Sequence, residues 1–133
     1  MEIPYFNALK AKLDQLTTRQ RVIAENIANA YTPGFTPRDV NTPDFTTLLQ
    51  GGDNGAGVRL AVTRAGHQGG DGGAVRWRVN SAPDSETTLD GNRVVLEEQT
   101  LKAAEVRMQY DLAVGLYEKG MDLLRSAARS PTR

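Results

Sequence analysis

The chain of 133 residues has no cysteine, one histidine and no net charge, since sixteen basic side chains balance sixteen acidic ones. Without cysteine, disulfides and thiolate chemistry are excluded. The balanced charge and the lack of a compact Lys/Arg block argue against a nucleic acid partner or a polybasic membrane patch. No stretch approaches the roughly 18 apolar residues of a membrane span. The first residues also lack the basic and apolar regions of a secretory signal peptide.

Few groups offer chemistry of their own. His67 stands in a glycine-rich stretch without a second histidine or a cysteine to complete a metal site. The glycine runs match neither a dinucleotide fingerprint nor a phosphate loop, and Ser81 lies in no nucleophile elbow. Glu97 and Glu98 suit the start of a helix, where exposed amides favour negative charge. We therefore predict no catalytic residue, cofactor, metal or small-molecule substrate.

Apolar positions recur every three or four residues through the first thirty residues of the chain. This spacing is typical of a helix that packs along a heptad seam, and it predicts a helix from about Tyr5 to Ala30. The seam positions are Phe6, Leu9, Leu13, Leu16, Gln20, Ile23, Ile27 and Ala30. The polar residues between them, which include Gln15 and Arg19, are expected to form a solvated or partner-facing surface.

The end of this helix coincides with a turn signal. Asn29 has the short polar side chain that is common at helix ends, and Pro33 cannot continue the helix. Pro33 and Gly34 fit the two central positions of a type II turn, because proline fixes its own φ and glycine accepts the positive φ that follows. We expect the chain to turn outward here, with Phe35 beyond the turn.

A second heptad pattern follows the turn signal Asp90-Gly91-Asn92. It predicts a helix from about Val94 to Ala128, roughly 50 Å long at about 1.5 Å per residue. Its seam positions are Leu96, Gln99, Ala103, Val106, Tyr110, Ala113, Tyr117, Gly120, Leu124 and Ala127. The second helix is therefore expected to extend past the first.

The apolar surface of the second helix is wider than its seam. The additional residues are Leu101, Met108, Leu112, Leu116 and Leu123. Either another subunit or the middle of the same chain must cover them. Gly115 and Gly120 each cost about 1 kcal/mol relative to alanine inside a helix, so they either permit close helix contact or are simply tolerated.

The middle of the chain differs in composition, since nine of the thirteen glycines fall between Gly51 and Gly73. Val58–Thr63 and Ala74–Val79 alternate apolar and polar residues, which favours a small β-hairpin with Trp77 as a packing residue. The predicted fold is mainly α, with two long terminal helices packed as an antiparallel coiled-coil-like hairpin around this glycine-rich insertion.

Three parts follow from this pattern. Residues 1–35 form the N-terminal helix and its Pro-Gly turn, residues 36–93 an extended glycine-rich middle, and residues 94–133 the C-terminal helix and tail. The two helices together form one axial domain.

Two segments of the sequence resemble a known family. Asn26-Ile27-Ala28-Asn29 with Thr32-Pro33-Gly34-Phe35 resembles the N-terminal signature of bacterial flagellar rod, hook and hook-associated proteins. The segment from Asp90 to Glu97, together with Tyr110 and the run Leu124-Arg125-Ser126-Ala127, resembles more narrowly the FlgB family of proximal rod proteins. Strong resemblance covers residues 13–40 and 90–127, with departures at Gln99-Thr100 and Val106.

The resemblance implies a structural subunit of the proximal rod of the flagellar basal body, not an enzyme. It implies export through the flagellar type III apparatus without a cleaved signal peptide, followed by helical self-assembly around an export channel on the periplasmic side of the inner membrane. Other rod proteins, the adaptor FliE and the MS-ring are the implied partners. Read without the resemblance, the residues also fit a soluble helical-hairpin adaptor that binds a partner through its apolar stripe.

Two sets of residues are predicted to act in assembly. The helix-seam set comprises Leu9, Leu13, Leu16, Ile23, Ile27, Val106, Tyr110, Tyr117 and Leu124. The signature-turn set comprises Asn26, Asn29, Thr32, Pro33, Gly34 and Phe35. A hydrolase centred on the glycine-rich middle is the weakest interpretation, because no nucleophile motif supports it.

Overall fold

The computed structural model describes residues 3–42 and 77–129, which form two long helices and a two-stranded sheet. In chain order these are helix α1 (Pro4–Ala28), strand β1 (Arg38–Val40), strand β2 (Val79–Ser81) and helix α2 (Leu96–Arg129). The predicted mainly helical fold is confirmed, and each helix end lies within two residues of its predicted position. Neither helix carries an apolar stretch that could cross a membrane.

The starts of the two helices follow from their first residues. Pro4 occupies the first turn of α1, where its fixed φ suits the helix and its missing N–H has no partner to lose. Ile3 precedes it in an extended conformation without a side-chain cap. Glu97 and Glu98 lie in the first turn of α2, where the exposed backbone amides favour negative charge.

The helices pack antiparallel along their seams. Tyr5, at the start of α1, donates a hydrogen bond from its hydroxyl to Leu116 O in the second half of α2. Asn26, near the end of α1, reaches Gln99 in the first turn of α2. Between these ends, Leu16, Ile23 and Val106 form a buried core cluster.

After the turn that ends α1, the chain runs back along α1. Asn26 binds the backbone of Arg38, and further back along the helix Arg19 binds Asp39 and Gln15 contacts Asn41. The expectation that the chain turns outward is therefore wrong for residues 35–42. Gln15, predicted to lie on a solvated or partner-facing surface, is instead buried beneath the returning segment.

The small sheet joins segments from either side of the glycine-rich stretch. Strands β1 and β2 are antiparallel, with Arg38 opposite Ser81 and Val40 opposite Val79. Val79 thus pairs with Val40 of β1, a pairing that the sequence pattern does not predict. The first strand of the predicted hairpin and most of the second, together with His67, lie outside the described residues. Trp77 donates from Nε1 to Asp14 Oδ2 of α1 at 2.8 Å, so it packs against the helix.

Candidate assembly site

The predicted seam residues differ in how far the single chain buries them. Leu9, Leu16, Ile23 and Val106 are buried, whereas Leu13 and Tyr117 are half-buried. Ile27, Tyr110 and Leu124 remain about 40% exposed, at 39%, 40% and 43%. The first group forms the intramolecular core. An assembly role for these residues stays a prediction, and the exposed group is where a neighbouring molecule could add burial.

The signature turn has the backbone geometry that its sequence requires. Phe35 N–H donates to Thr32 O at 3.3 Å across Pro33 and Gly34. Gly34 has φ of 72°, a value that only glycine adopts at little cost. No atom would obstruct an added Cβ at position 34. The turn therefore requires glycine there because of the positive φ, and not because of limited space.

The end of α1 is closed by hydrogen bonds from its own turn. Asn29 donates from its backbone N–H and from Nδ2 to Glu25 O, at 3.1 and 2.8 Å. Thr32 donates from its backbone N–H to Asn29 O and from Oγ1 to Asn29 Oδ1, both at 3.1 Å. Carbonyls that the helix leaves without partners are thus satisfied locally.

Asn92 docks the signature turn onto the second turn signal. Its side chain is buried, and Nδ2 donates to Asn29 O at 2.9 Å and to Thr32 O at 2.7 Å. Its Oδ1 accepts from Val94 N–H at 2.8 Å. One asparagine therefore fixes the end of α1 relative to the segment that leads into α2, although the two turns lie about sixty residues apart in the sequence.

Backbone contacts strengthen this docking. Gly34 N–H donates to Asp90 O at 3.0 Å, and Arg93 N–H donates to Phe35 O at 2.9 Å. Gly91 has φ of 83° and lies so close that an added Cβ would be 3.5 Å from Gly34 Cα. The Pro-Gly turn and the Asp-Gly-Asn turn therefore form one unit, which we call the docked turns (residues 29–35 and 88–94).

A chain of buried polar side chains continues from the docked turns into the helix pair. Asn26 accepts from Arg38 N–H at 3.0 Å and donates to Arg38 O at 2.7 Å, so it pairs with that residue as a strand would. Asn26 Nδ2 also donates to Gln99 Oε1 at 3.0 Å. Gln99 in turn donates to Asp84 Oδ2 at 2.8 Å. We call this set, with Lys102, the polar chain.

The polar chain ends at Asp84, whose carboxylate accepts hydrogen bonds from three donors. Besides Gln99, Val95 N–H donates to Oδ2 at 2.9 Å and Lys102 Nζ donates to Oδ1 at 3.2 Å. The Asp84 side chain is inaccessible to solvent. Burial alone raises the pKa of Asp84, but the hydrogen bonds from Gln99, Val95 and Lys102 outweigh it and hold the pKa below its usual value. The ionised carboxylate is therefore a structural acceptor.

A second ion pair fastens β1 to α1. Arg19 donates from Nε to Asp39 Oδ1 at 3.0 Å and from Nη2 to Oδ2 at 3.3 Å, in bidentate geometry. The same Asp39 Oδ1 accepts from Val40 N–H at 2.7 Å. Nearby, burial and the charge of Arg19 lower the pKa of Lys12, while Glu105 opposes that shift.

Aromatic rings close the opposite end of the helix pair. Tyr5, Phe6 and Tyr117 form two edge-to-face contacts, with ring centroids 5.3 and 5.1 Å apart. Gly120 lies beneath them, since a Cβ there would be 3.0 Å from Tyr5 Cε1 and 3.1 Å from Phe6 Cε1. Of the two alternatives for the glycines, close contact holds for Gly120, whereas Gly115 has open space around it and is tolerated.

Helix α2 continues past the aromatic rings. About nine residues follow Gly120, which is roughly 13 Å at about 1.5 Å per residue. This overhang carries Leu123 and Leu124, and an open apolar groove of about 590 Å³ lies between it and the start of α1. The groove is lined by Ile3, Tyr5, Phe6, Leu116, Lys119, Gly120, Leu123, Leu124 and Ala127.

The residues that widen the α2 surface remain exposed. Leu101, Met108, Leu112 and Leu123 are 71%, 67%, 63% and 64% exposed, and Leu116 is exposed to a lesser degree. Single exposed leucines are ordinary, but a row of five along one helix indicates an interaction surface. We call this row the outer stripe.

Sequence reasoning missed two residues that hold the site together. Asp84 lies in an irregular segment, where no periodicity marks it. Asn92 was recognised only as part of a turn, and nothing local shows that its side chain reaches Asn29 and Thr32. Among residues 3–42 and 77–129, no cluster of His, Cys, Asp and Glu side chains could hold a metal ion.

Comparisons of the sequence with known proteins point to one family. A family model described as "Flagella basal body rod protein" matches residues 7–36, which cover most of α1 and the signature turn. Relatives described as "Flagellar basal body rod protein FlgB" align over most of the chain. The protein from Agrobacterium fabrum is 33% identical over 117 residues, covering 86% of this chain and 84% of the relative.

Two enterobacterial relatives with the same description agree. The Yersinia enterocolitica protein is 37% identical over 119 residues, covering 77% of this chain and 80% of the relative. The Salmonella typhimurium protein is 33% identical over 116 residues, covering 77% and 79%.

Proposed function

This chain belongs to the FlgB family of flagellar basal body rod proteins, and from that premise we propose that it polymerises helically through its terminal helices into the proximal rod. As a structural rod protein of the flagellar basal body it assembles with other basal body components. In our proposal the subunit is exported through the type III apparatus without a cleaved signal peptide. It then lines the export channel on the periplasmic side of the inner membrane, beside other rod proteins, FliE and the MS-ring.

The main support is the unequal burial of the two helices. Seven residues of the 25-residue α1 are buried, but only three residues of the 34-residue α2. The apolar surface left on α2 includes its overhang and exceeds what α1 can cover. Since burial of apolar surface drives association, neighbouring subunits are the natural source of the missing contacts.

The docked turns and the polar chain also support the proposal, because they fix the geometry of the helix pair. They hold one end of the helix pair rigid through Asn92, Asn26 and Asp84, so a subunit presents its exposed seam residues in a fixed arrangement. A preorganised surface loses less entropy when it binds a neighbour. The proposal therefore needs no large rearrangement of the helix pair.

The overhang residue Leu124 gives a direct test. In Leu124→Lys the change lies in the open groove beside the start of α1 and at a 43% exposed position, so the folded subunit should survive. We expect loss of swimming and of isolated basal body rods in a bacterium whose only copy carries this variant. The control Asp122→Lys places the same side chain on the exposed face of the overhang and should remain motile.

The result separates the rod from the adaptor interpretation. Normal motility and normal rods in Leu124→Lys would count against helical assembly through α2. An adaptor would instead bind its partner at a fixed stoichiometry and would not form the extended assemblies that electron microscopy of basal bodies detects. Circular dichroism of the purified variant shows whether its helices persist.

A further inference from the structure

The outer stripe of α2 reads nearly the same in both directions from Leu112. Leu101 and Leu123 lie eleven positions before and after it, and Met108 and Leu116 lie four positions before and after it. Seven positions before it stands Glu105, and seven after it stands Lys119. The apolar residues are thus placed symmetrically, and the two charged residues at matching positions have opposite signs.

Helix geometry places all of these residues on one face. At about 100° per residue, the seven positions fall within a sector of roughly 80°. Val106 and Ala113, which face α1, lie about 100–120° around the helix from Leu112. The outer stripe is therefore centred away from the seam, and its five apolar side chains are exposed. Its last residues, Leu116, Lys119 and Leu123, also border the groove beside the start of α1.

We propose that the outer stripe binds the outer stripe of a second copy of this chain, antiparallel, about a two-fold axis that passes beside Leu112. In this arrangement Leu101 faces Leu123 of the second copy and Met108 faces Leu116 of the second copy. Leu112 meets its own equivalent on the axis. The contact is isologous, so the same surface serves both partners.

The charges select the antiparallel direction. Glu105 faces Lys119 of the second copy, and two-fold symmetry forms this pair twice. A parallel pair in the same register would instead place Glu105 against Glu105 and Lys119 against Lys119, where like charges repel. Gln109 Nε2 donates to Glu105 Oε1 at 3.2 Å, which restrains the carboxylate within the stripe.

The contact is long but narrow. The 22 residue steps from Leu101 to Leu123 extend about 33 Å along the helix, which gives an interface near the small end of specific protein contacts. We expect a reversible dimer with a dissociation constant on the order of 10 µM. This dimer uses part of the α2 surface that the rod proposal assigns to neighbouring subunits, but it is a different contact, because a two-fold contact closes on itself whereas a helical polymer requires a head-to-tail contact.

Sedimentation of the full-length chain tests the pairing and its direction. The parent should shift from monomer to dimer as concentration rises through tens of micromolar. Glu105→Lys or Lys119→Glu alone places like charges opposite each other, and each should weaken the dimer at least about tenfold. The double variant exchanges the signs and should restore dimerisation to within about threefold of the parent.

Cross-linking tests the register, since the natural chain has no cysteine. With a short bismaleimide, Leu112→Cys should give a covalent dimer, whereas Glu118→Cys, on another exposed face of α2, should give at least tenfold less. Leu101→Cys and Leu123→Cys should link poorly alone and efficiently when the two variants are mixed.

Several outcomes would overturn the proposal. They are a monomer at all concentrations, charge variants that do not differ from the parent, and self-linking of Leu101→Cys that equals the mixture. A stripe covered by another part of the same chain would give the first of these. Sedimentation and cross-linking do not depend on motility. If they show no dimer, the rod proposal still stands, and if the rod proposal fails, the dimer can still be measured.

Discussion

Asn92 is predicted to be the residue on which the docked turns depend most. Its side chain makes three hydrogen bonds, to Asn29 O, Thr32 O and Val94 N–H, at 2.7 to 2.9 Å. A typical hydrogen bond contributes about 1 kcal/mol net, and a buried group left without its partner costs more. We therefore expect Asn92→Ala to lower the free energy of unfolding by about 3 kcal/mol.

Asn92→Asp separates the loss of donors from the loss of volume. Aspartate has nearly the same shape and can still accept from Val94 N–H, but its ionised carboxylate would face the carbonyl oxygens of Asn29 and Thr32. At pH 7 the penalty is limited by the cost of protonating the group, about 4 kcal/mol for a carboxyl with an ordinary pKa near 3.9. We expect a loss of about 3–4 kcal/mol at pH 7.

The pH dependence of Asn92→Asp has a definite sign. The folded environment disfavours the ionised form, so the pKa of the introduced carboxyl is raised in the folded state. The penalty is full at neutral pH and decreases as pH falls through this raised pKa, because the protonated acid can donate again. The stability difference between the variant and the parent should therefore shrink from pH 7 to pH 4.

Urea denaturation followed by circular dichroism at 222 nm measures these differences. Asn7→Asp makes the same chemical change at an exposed position in α1 and should stay within about 0.5 kcal/mol of the parent. The reasoning is refuted if Asn92→Asp matches Asn7→Asp at pH 7. It is also refuted if the penalty of Asn92→Asp grows on acidification.

Three further variants test the polar chain and the helix contact by the same denaturation assay. The lowered pKa of Asp84 means that its contribution is present above the unfolded pKa, near 3.9, and is lost as pH falls through the folded pKa. Asp84→Asn should therefore cost about 2 kcal/mol at pH 7, and this difference from the parent should close below about pH 4; a constant difference would contradict it. Gly115→Ala should stabilise the protein by about 1 kcal/mol, because the helix gains and nothing obstructs the new Cβ. Gly120→Ala should be at least about 1 kcal/mol less stable than Gly115→Ala, because its Cβ would press on Tyr5 and Phe6; equal stability would show that the rings move freely.

The helices could be predicted from the sequence because periodicity reports directly which face of a helix is apolar. Leu9, Leu16, Ile23 and Val106 stand at seam positions and are buried. The same pattern does not show whether another segment of the chain covers a second face of the helix. Gln15 is buried under the chain that returns from the turn, and no property of a single glutamine predicts that path.

The docked turns show a different limit of sequence reasoning. Each turn could be recognised alone, since Pro33-Gly34 and Asp90-Gly91-Asn92 are strong local signals. Their contact could not, because it depends on where two separate chain segments lie in space. Glycine at position 91 is explained locally by its positive φ. It is also explained by its close approach to Gly34, and only this second reason reveals that the two turns are docked.

The two helices consequently have different roles in the same subunit. Helix α1 is covered by α2 on one face and by the returning chain on another, through Arg19 with Asp39 and Asn26 with Arg38. In the described part of the chain, helix α2 is covered along the seam and, at its start, by the segment that holds Asp84. Its outer stripe is exposed. Changes on α1 should therefore act mainly on the stability of the single chain, whereas changes on the outer stripe should act mainly on association. Of the two helices, α2 is therefore the one that can bury substantial apolar surface against another molecule, because α1 has little exposed apolar surface beyond Ile27.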